Sequence, residues 1–212
     1  MTVPPQRDEL ERYLEQVTVG EIERRPVAVV EYDPAWPARY ALEAARIHAA
    51  LGGRERLLEH IGSTAVPGLA AEPVVDILLV VDDPADEASY VPALETIGYE
   101  LRIREPAWYQ HRMLRTAARD AHLHVLPPDS PEIQSYLLLR DRLRSDVADR
   151  ELYAATKIRL ATGDWPTVDH YAEAKSQVVE AIIARAREAN AEGDGVTGAR
   201  DGAGDPPAGA GA

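Results

Sequence analysis

The run Pro73-Val-Val-Asp-Ile-Leu-Leu-Val-Val81 constrains this chain more than any other stretch. Apolar residues at successive positions, without alternation, describe a strand buried on both faces. Such a strand needs neighbours on either side and helices above and below. The run also carries one charge, Asp76, in its interior. A carboxylate in so apolar a setting is costly unless it is paired, hydrogen-bonded or bound to a metal. Two readings follow: an aspartate that ties down a neighbouring loop, or a carboxylate that holds a divalent ion.

The rest of the chain supplies the partners such a strand requires. Val27–Val30 and Arg56–Ile61 read as strands, and Ala38–Leu51 as a helix stopped by Gly52-Gly53. A helix over Asp86–Ile97 closes at Gly98. Tyr99–Arg104, Trp108–Thr116 and Ala121–Leu126 read as short strands, with a hairpin tip at Ala117–Asp120. Helices follow over Glu132–Ser145, Val147–Ala161 and Val168–Ala189, the last two separated by Pro166. The expected fold is α/β (α+β): a mixed sheet of about five strands flanked by helices, with a helical C-terminal region. Residues 1–25 form an N-terminal extension whose Leu10, Tyr13, Leu14 and Val17 share a helical stripe. Residues 26–190 form the domain. Residues 191–212, rich in Gly, Ala, Asp and Pro, lack the apolar surface to offset their ordering entropy and are expected to be disordered. Trp36 is expected to pin the turn Tyr32–Pro37 to the core.

Composition narrows the function classes. The formal net charge is −13, which disfavours nucleic acid as a partner because both would be polyanions. Cysteine is absent, so disulfides, thiolate catalysis and cysteine-based metal sites are excluded. No apolar run reaches the roughly 18 residues that a membrane span requires. The first residues lack the apolar stretch of a signal peptide, and a cytoplasmic location is the default expectation. Of the basic residues 21 are arginine and two are lysine, Lys157 and Lys175, each four positions after a tyrosine.

The candidate chemistry starts at Ile61-Gly62-Ser63-Thr64, where a strand runs into a short helical segment. Such a junction gathers backbone N–H groups, a hydroxyl and a helix start, the groups that hold an anion, most often phosphate. His60 either orients this loop or donates to a phosphate. His122 and His124 stand two apart on a strand and so point to one face. Beside Asp76 they would form a set of two imidazoles and one carboxylate, suited to a transition metal. The plain alternative is that an imidazole hydrogen-bonds Asp76 or a carbonyl. Arg140, Lys157 and Lys175 would neutralise a polyphosphate across the cleft, or else form ordinary salt bridges. His48, His111 and His170 show no spacing that argues for a ligand role.

Gly62-Ser63, twelve residues, then Asp76-Ile77 resembles the signature of the nucleotidyltransferase superfamily, in which the Gly-Ser loop grips a triphosphate and strand carboxylates hold magnesium. The second carboxylate of that signature would fall at position 78, which is Leu78. A closer resemblance is to the GrpB-like family. It rests on Glu59-His-Ile-Gly-Ser-Thr-Ala-Val-Pro-Gly-Leu69, Pro73-Val-Val-Asp76, His122-Leu-His124, Leu139–Arg144, Tyr153 with Lys157, and Tyr171 with Lys175, and spans about residues 27–187. One departure stands out: Glu72 occupies a position where that family usually has lysine, so an acidic group is expected to face any phosphate there. The resemblance implies a nucleotidyltransferase fold. The family settles the fold better than the function, and the site is read from the residues: a nucleoside triphosphate at Gly62, Ser63, Thr64, His60, Arg140, Lys157 and Lys175, with Mg²⁺ or Mn²⁺ at Asp76, His122 and His124. The leading expectation is transfer of a nucleotidyl group to a small acceptor, with Asp76 and His124 catalytic. Two rivals remain: a nucleotide- or phosphometabolite-binding protein reduced in catalysis, which Leu78 and Glu72 favour, and a metal-dependent phosphate-ester hydrolase.

Overall fold

The strand that dominates the sequence lies inside the sheet, as its composition demands. In the computed structural model, which describes residues 7–197 and side chains within 9–191, β2 (Val75–Val80) pairs antiparallel with β1 (Leu57–Ile61) on one side. On its other side it pairs parallel with β5 (Ala121–Leu126). β4 (His111–Thr116) and β3 (Tyr99–Glu105) complete an antiparallel continuation, for the order β1-β2-β5-β4-β3. The five-stranded mixed sheet is the one expected.

Side-chain alternation divides β2 between two layers. Ile77 and Leu79 face a core built with Trp36, Ile47 and Leu51 of α2 (Trp36–Leu51) and Leu94 of α3 (Val91–Glu95), where Trp36 and Ile47 are fully buried. Trp36 thus pins the turn to the core. On the opposite face Leu78 and Val80 pack with Ile61 and Leu126 under Ile133, Tyr136 and Leu137 of α4 (Pro131–Ser145). A third cluster joins Val66 and Leu69 to Leu143, Tyr153 and Ile182. It clamps the loop after β1 between α4, α5 (Val147–Ala161) and α7 (Ser176–Thr197). Asp146 caps α5 by accepting from Asp149 N at 2.9 Å, and Ser130 caps α4 by accepting from Glu132 N at 3.3 Å.

Several expected elements differ in extent. Val27–Val30 is not a strand. Only Val30 forms a bridge, exchanging both backbone bonds with Ala71 at 2.9 Å, while Val27–Val29 belong to no ladder and alternate between partly covered and exposed positions. The helix expected over Asp86–Ile97 divides into a 3-10 turn, Glu87–Ser89, and the short α3. Pro92 accounts for this, since it lacks an N–H and disfavours helical backbone just before it. β4 begins at His111 because Tyr109 and Gln110, at φ 50° and 54°, make the reversal from β3. The final helix breaks into α6 (Val168–Glu173) and α7, with Lys175 in the gap. α7 runs to Thr197, past the boundary read from composition, and positions 198–212 lie outside the described residues.

The N-terminal segment packs onto this body. α1 (Arg7–Val17) buries Leu14 and Val17, Thr18 bridges Ile103, and Glu23 pairs with Arg115. No helix among the described residues is long and apolar enough to cross a membrane.

Candidate functional site

The end of β1 and the start of β2 meet in register, with Ile61 opposite Asp76. The next residue, Gly62, turns the chain at φ 69°, ψ −170° into the 3-10 turn Ser63–Ala65. A side chain on Gly62 would place its Cβ 2.3 Å from Asp76 Oδ2. Glycine is therefore required twice, for the backbone angle and for the approach of the carboxylate. The turn is held by Ala65 N to Gly62 O at 3.3 Å and Val66 N to Ser63 O at 3.2 Å. The first N–H groups of such a turn have no partner within it.

Across the parallel pair, Asp76 is in register with His122, and His124 follows on the same face. Asp76 Oδ1 lies 3.5 Å from His122 Nδ1 and 3.9 Å from His124 Nε2. One ligand atom from each of the three residues fits within 4.8 Å of the other two. These separations are too long for good hydrogen bonds. They approach the spacing of two ligands on one tetrahedral ion, about 3.4 Å for bonds of about 2.1 Å. Burial opposes ionisation of Asp76, but the neighbouring His122 and His124 outweigh it. The carboxyl is held well below the usual range. A half-buried donor set of one carboxylate and two imidazoles fits a divalent transition metal such as Mn²⁺.

The two lysines converge on the same loop from the C-terminal helices. Lys157 of α5 is 2% exposed and donates to Ser63 Oγ at 2.8 Å and Ala70 O at 2.5 Å. Its ammonium lies 4.6 Å from the centre of the Tyr153 ring. Burial, with Lys175 nearby, lowers its pKa to about 7, against the opposing pull of Glu72 and Asp76. Lys175 stands 4.1 Å over the Tyr171 ring and 3.6 Å from Glu72, and burial lowers its pKa too. Glu72, expected to repel a phosphate, is instead shared by Lys175 and by Arg25 at 3.9 Å.

Three of the residues expected to contact ligand are turned to other work. His60 pairs with Ile77, so its ring lies on the α2 face, stacked on Tyr40 with centroids 4.6 Å apart. Its Nε2 meets Thr64 Oγ1 at 3.0 Å, which occupies both side chains. Burial lowers the His60 pKa to about 4. Of the two roles open to His60, orienting the loop is the one this geometry uses. Arg140 is committed to Glu59 Oε2 at 2.7 Å, His60 O at 3.2 Å and Asp141. Arg144 holds the turn through Ala65 O at 3.0 Å.

His111 carries no spacing that marks it in the sequence. It is 4% exposed, and its Nε2 is 3.2 Å from His124 Nδ1, while its Nδ1 is 2.5 Å from Glu105 Oε2. The far oxygen of Glu105 accepts from Tyr13 of α1. Burial holds His111 below the usual imidazole range; Glu105, despite its own burial, is held below the usual carboxylate range by bonds from His111 and Tyr13. No spacing signals this group, because only the β3–β4–β5 register brings residues 105, 111 and 124 together.

Fold and site together define a class: an α+β protein with a five-stranded mixed sheet, in which a Gly-Ser turn, a strand carboxylate and two imidazoles share one face. The chain belongs to the GrpB protein family, whose pattern matches residues 26–185. It is 46% identical over 192 residues to a UPF0157 protein of Halalkalibacterium halodurans, covering 87% of this chain and 98% of that one. A UPF0157 protein of Streptomyces coelicolor is 44% identical over 168 residues, 79% of this chain and 88% of that one. The crystal structure of the conserved protein GrpB from Enterococcus faecalis superposes with a TM-score of 0.67 at 30% identity, over 77% of this chain and 99% of that one.

Proposed function

We propose that this protein binds the polyphosphate of a nucleoside triphosphate together with a divalent cation and transfers a nucleotidyl group to a small acceptor. The observation that carries the reading is the contact between Gly62 and Asp76, which joins the anion loop and the carboxylate in one pocket. Ser63 Oγ, the N–H groups of the turn and the Lys157 ammonium would hold phosphate oxygens. Asp76, His122 and His124 would hold Mg²⁺ or Mn²⁺, and the softer donor set favours Mn²⁺. A metal bound there supplies charge neutralisation at the reacting phosphorus. Lys175 balances charge from the side of α6 and α7. With its lone pair on such a cation His124 would act as ligand rather than base, and an acceptor hydroxyl would be activated by coordination to the same ion.

One observation favours a second reading, a nucleotide- or phosphometabolite-binding protein without transfer. Leu78, at the place of the second carboxylate, is fully buried among Ile61, Val80 and Leu126. Nothing acidic supports a second metal at that point, which weakens two-metal chemistry.

Calorimetric titration of ATP, GTP, CTP and UTP, with and without Mn²⁺ or Mg²⁺, separates the readings. Metal-dependent binding with pyrophosphate release in the presence of acceptors supports transfer; binding without turnover supports the second reading. Metal-dependent hydrolysis of simple phosphate esters would point to a hydrolase. Asp76→Asn should weaken Mn²⁺-linked binding more than tenfold, at least about 1.4 kcal/mol, while the unfolding transition stays intact. Unchanged Mn²⁺ affinity in that variant would assign Asp76 to structure alone.

A further inference from the structure

The chain Tyr13–Glu105–His111–His124 ends at the pocket, and its first three members have no part in the site described above. Its members come from four elements. Tyr13 lies on α1, Glu105 at the end of β3, His111 at the start of β4, and His124 on β5. Tyr13 lies before residues 26–185, the part that the family pattern matches.

The polarity of this chain is decided from its outer end. The Tyr13 hydroxyl donates to one oxygen of Glu105. The other oxygen is 2.5 Å from His111 Nδ1, a separation that requires the hydrogen to sit between them. A carboxylate is acceptor only, so that hydrogen belongs to His111 Nδ1. In a neutral imidazole the remaining nitrogen, His111 Nε2, then carries a lone pair. It faces His124 Nδ1 at 3.2 Å, and the contact is satisfied only if His124 Nδ1 bears the proton. The lone pair of His124 is left on Nε2, the atom that points to Asp76 Oδ1 across 3.9 Å. Two acceptors facing each other at that distance repel, unless a cation lies between them. The ring planes are also fixed. His111 and His124 lie 18° from parallel, Trp108 meets His111 edge-on with centroids 5.0 Å apart, and Tyr136 flanks His124 at 5.9 Å.

We infer that Glu105 and His111, steadied by Tyr13, are positioning residues that lock His124 in the Nδ1–H tautomer and so aim its Nε2 lone pair at a divalent cation shared with Asp76 and His122. The inference rests on the metal reading given above and extends it to the N-terminal helix: α1 takes part in presenting a ligand. Outer partners that orient a metal-binding imidazole in this way are worth about ten- to a hundredfold in metal affinity.

The test uses the full chain labelled with ¹⁵N-histidine. Long-range ¹H–¹⁵N correlation of the metal-free protein reads the tautomer of each imidazole, and His124→Gln assigns the relevant signal. Protonation of His124 at Nδ1 is expected; protonation at Nε2 overturns the inference. Glu105→Gln replaces an obligatory acceptor with an amide that can also donate. The tautomer of His124 should then become mixed, and calorimetric Mn²⁺ affinity should fall about tenfold or more. Tyr13→Phe should shift both readings in the same direction by less. A Glu105→Gln protein that keeps both the wild-type tautomer and the wild-type Mn²⁺ affinity overturns the inference. If the wild type binds no divalent cation, the metal reading fails on its own, and the wild-type and Glu105→Gln tautomers still decide the positioning role.

Discussion

Replacing Gly62 by alanine tests the join on which the site depends. Two costs can be worked from the structure. At φ 69°, ψ −170° the backbone lies in a region occupied almost only by glycine, and a residue with a Cβ is strained there by about 1–3 kcal/mol. The new methyl would also sit 2.3 Å from Asp76 Oδ2 and 3.0 Å from Asp76 Cβ and Cγ, so the carboxylate must swing aside. Moving it off its rotamer adds roughly 0.5–1.5 kcal/mol. The sum, about 1.5–4.5 kcal/mol, should lower the melting temperature by roughly 3–18 °C for a chain of this size. Mn²⁺ affinity should fall as well, because the displaced carboxylate is the proposed ligand. Scanning calorimetry with Mn²⁺ titration reads both effects. The cycle with Asp76→Ala isolates the contact: the double variant should lose less than the two single losses together, by about 0.5–1.5 kcal/mol. A Gly62→Ala protein within about 0.5 kcal/mol of wild type, or a strictly additive cycle, would show that the glycine and the carboxylate are not packed as described.

Two further outcomes depend on pH. Lys157, with its pKa lowered to about 7, is largely neutral at pH 8 and must regain a proton to pair with an anion. Tripolyphosphate binding should therefore take up protons at pH 8 and fewer at pH 6, as measured by calorimetry in buffers of different ionisation enthalpy. Lys157→Met should reduce that uptake and weaken binding, and uptake unchanged by the substitution would remove Lys157 from the anion site. His60 behaves in the opposite register. Buried, it refuses a proton until about pH 4, whereas in the unfolded chain it takes one near pH 6.5. Its contribution to stability is present above pH 6.5 and lost as pH falls toward 4, by up to roughly 3 kcal/mol. Urea unfolding at stepped pH should show this slope, and His60→Phe should flatten it; an unchanged profile would contradict the burial of a neutral ring.

Local patterns made much of this protein readable from its residues alone. The unbroken apolar run around Asp76 could only be an interior strand, and the Gly-Ser junction could only be a tight turn beside a strand end. Val147–Ala161 has the bounds its helical pattern indicates, because an aspartate cap and regular spacing are local properties. The convergence of Gly62, Asp76, His122 and His124 was also within reach. It follows from two strands whose alternation puts the acidic and imidazole side chains on one face, once those strands lie side by side.

Other features exist only through cross-strand register and burial, which no short stretch of sequence encodes. His111 carries no motif, yet the β4–β5 pairing carries it to His124, and the β3–β4 pairing brings Glu105 behind it. His60, in the most recognisable motif, turns away to Thr64 because its antiparallel partner strand fixes the face that its ring takes. Glu72 reads in the sequence as a charge that would repel phosphate, but Lys175 and Arg25, more than forty positions away on either side, neutralise it. The amino-acid order thus determined the interior strand, the turn and the family. Only the folded packing decided which polar side chains share the pocket, since register and distance in space are set by the whole hydrophobic core at once.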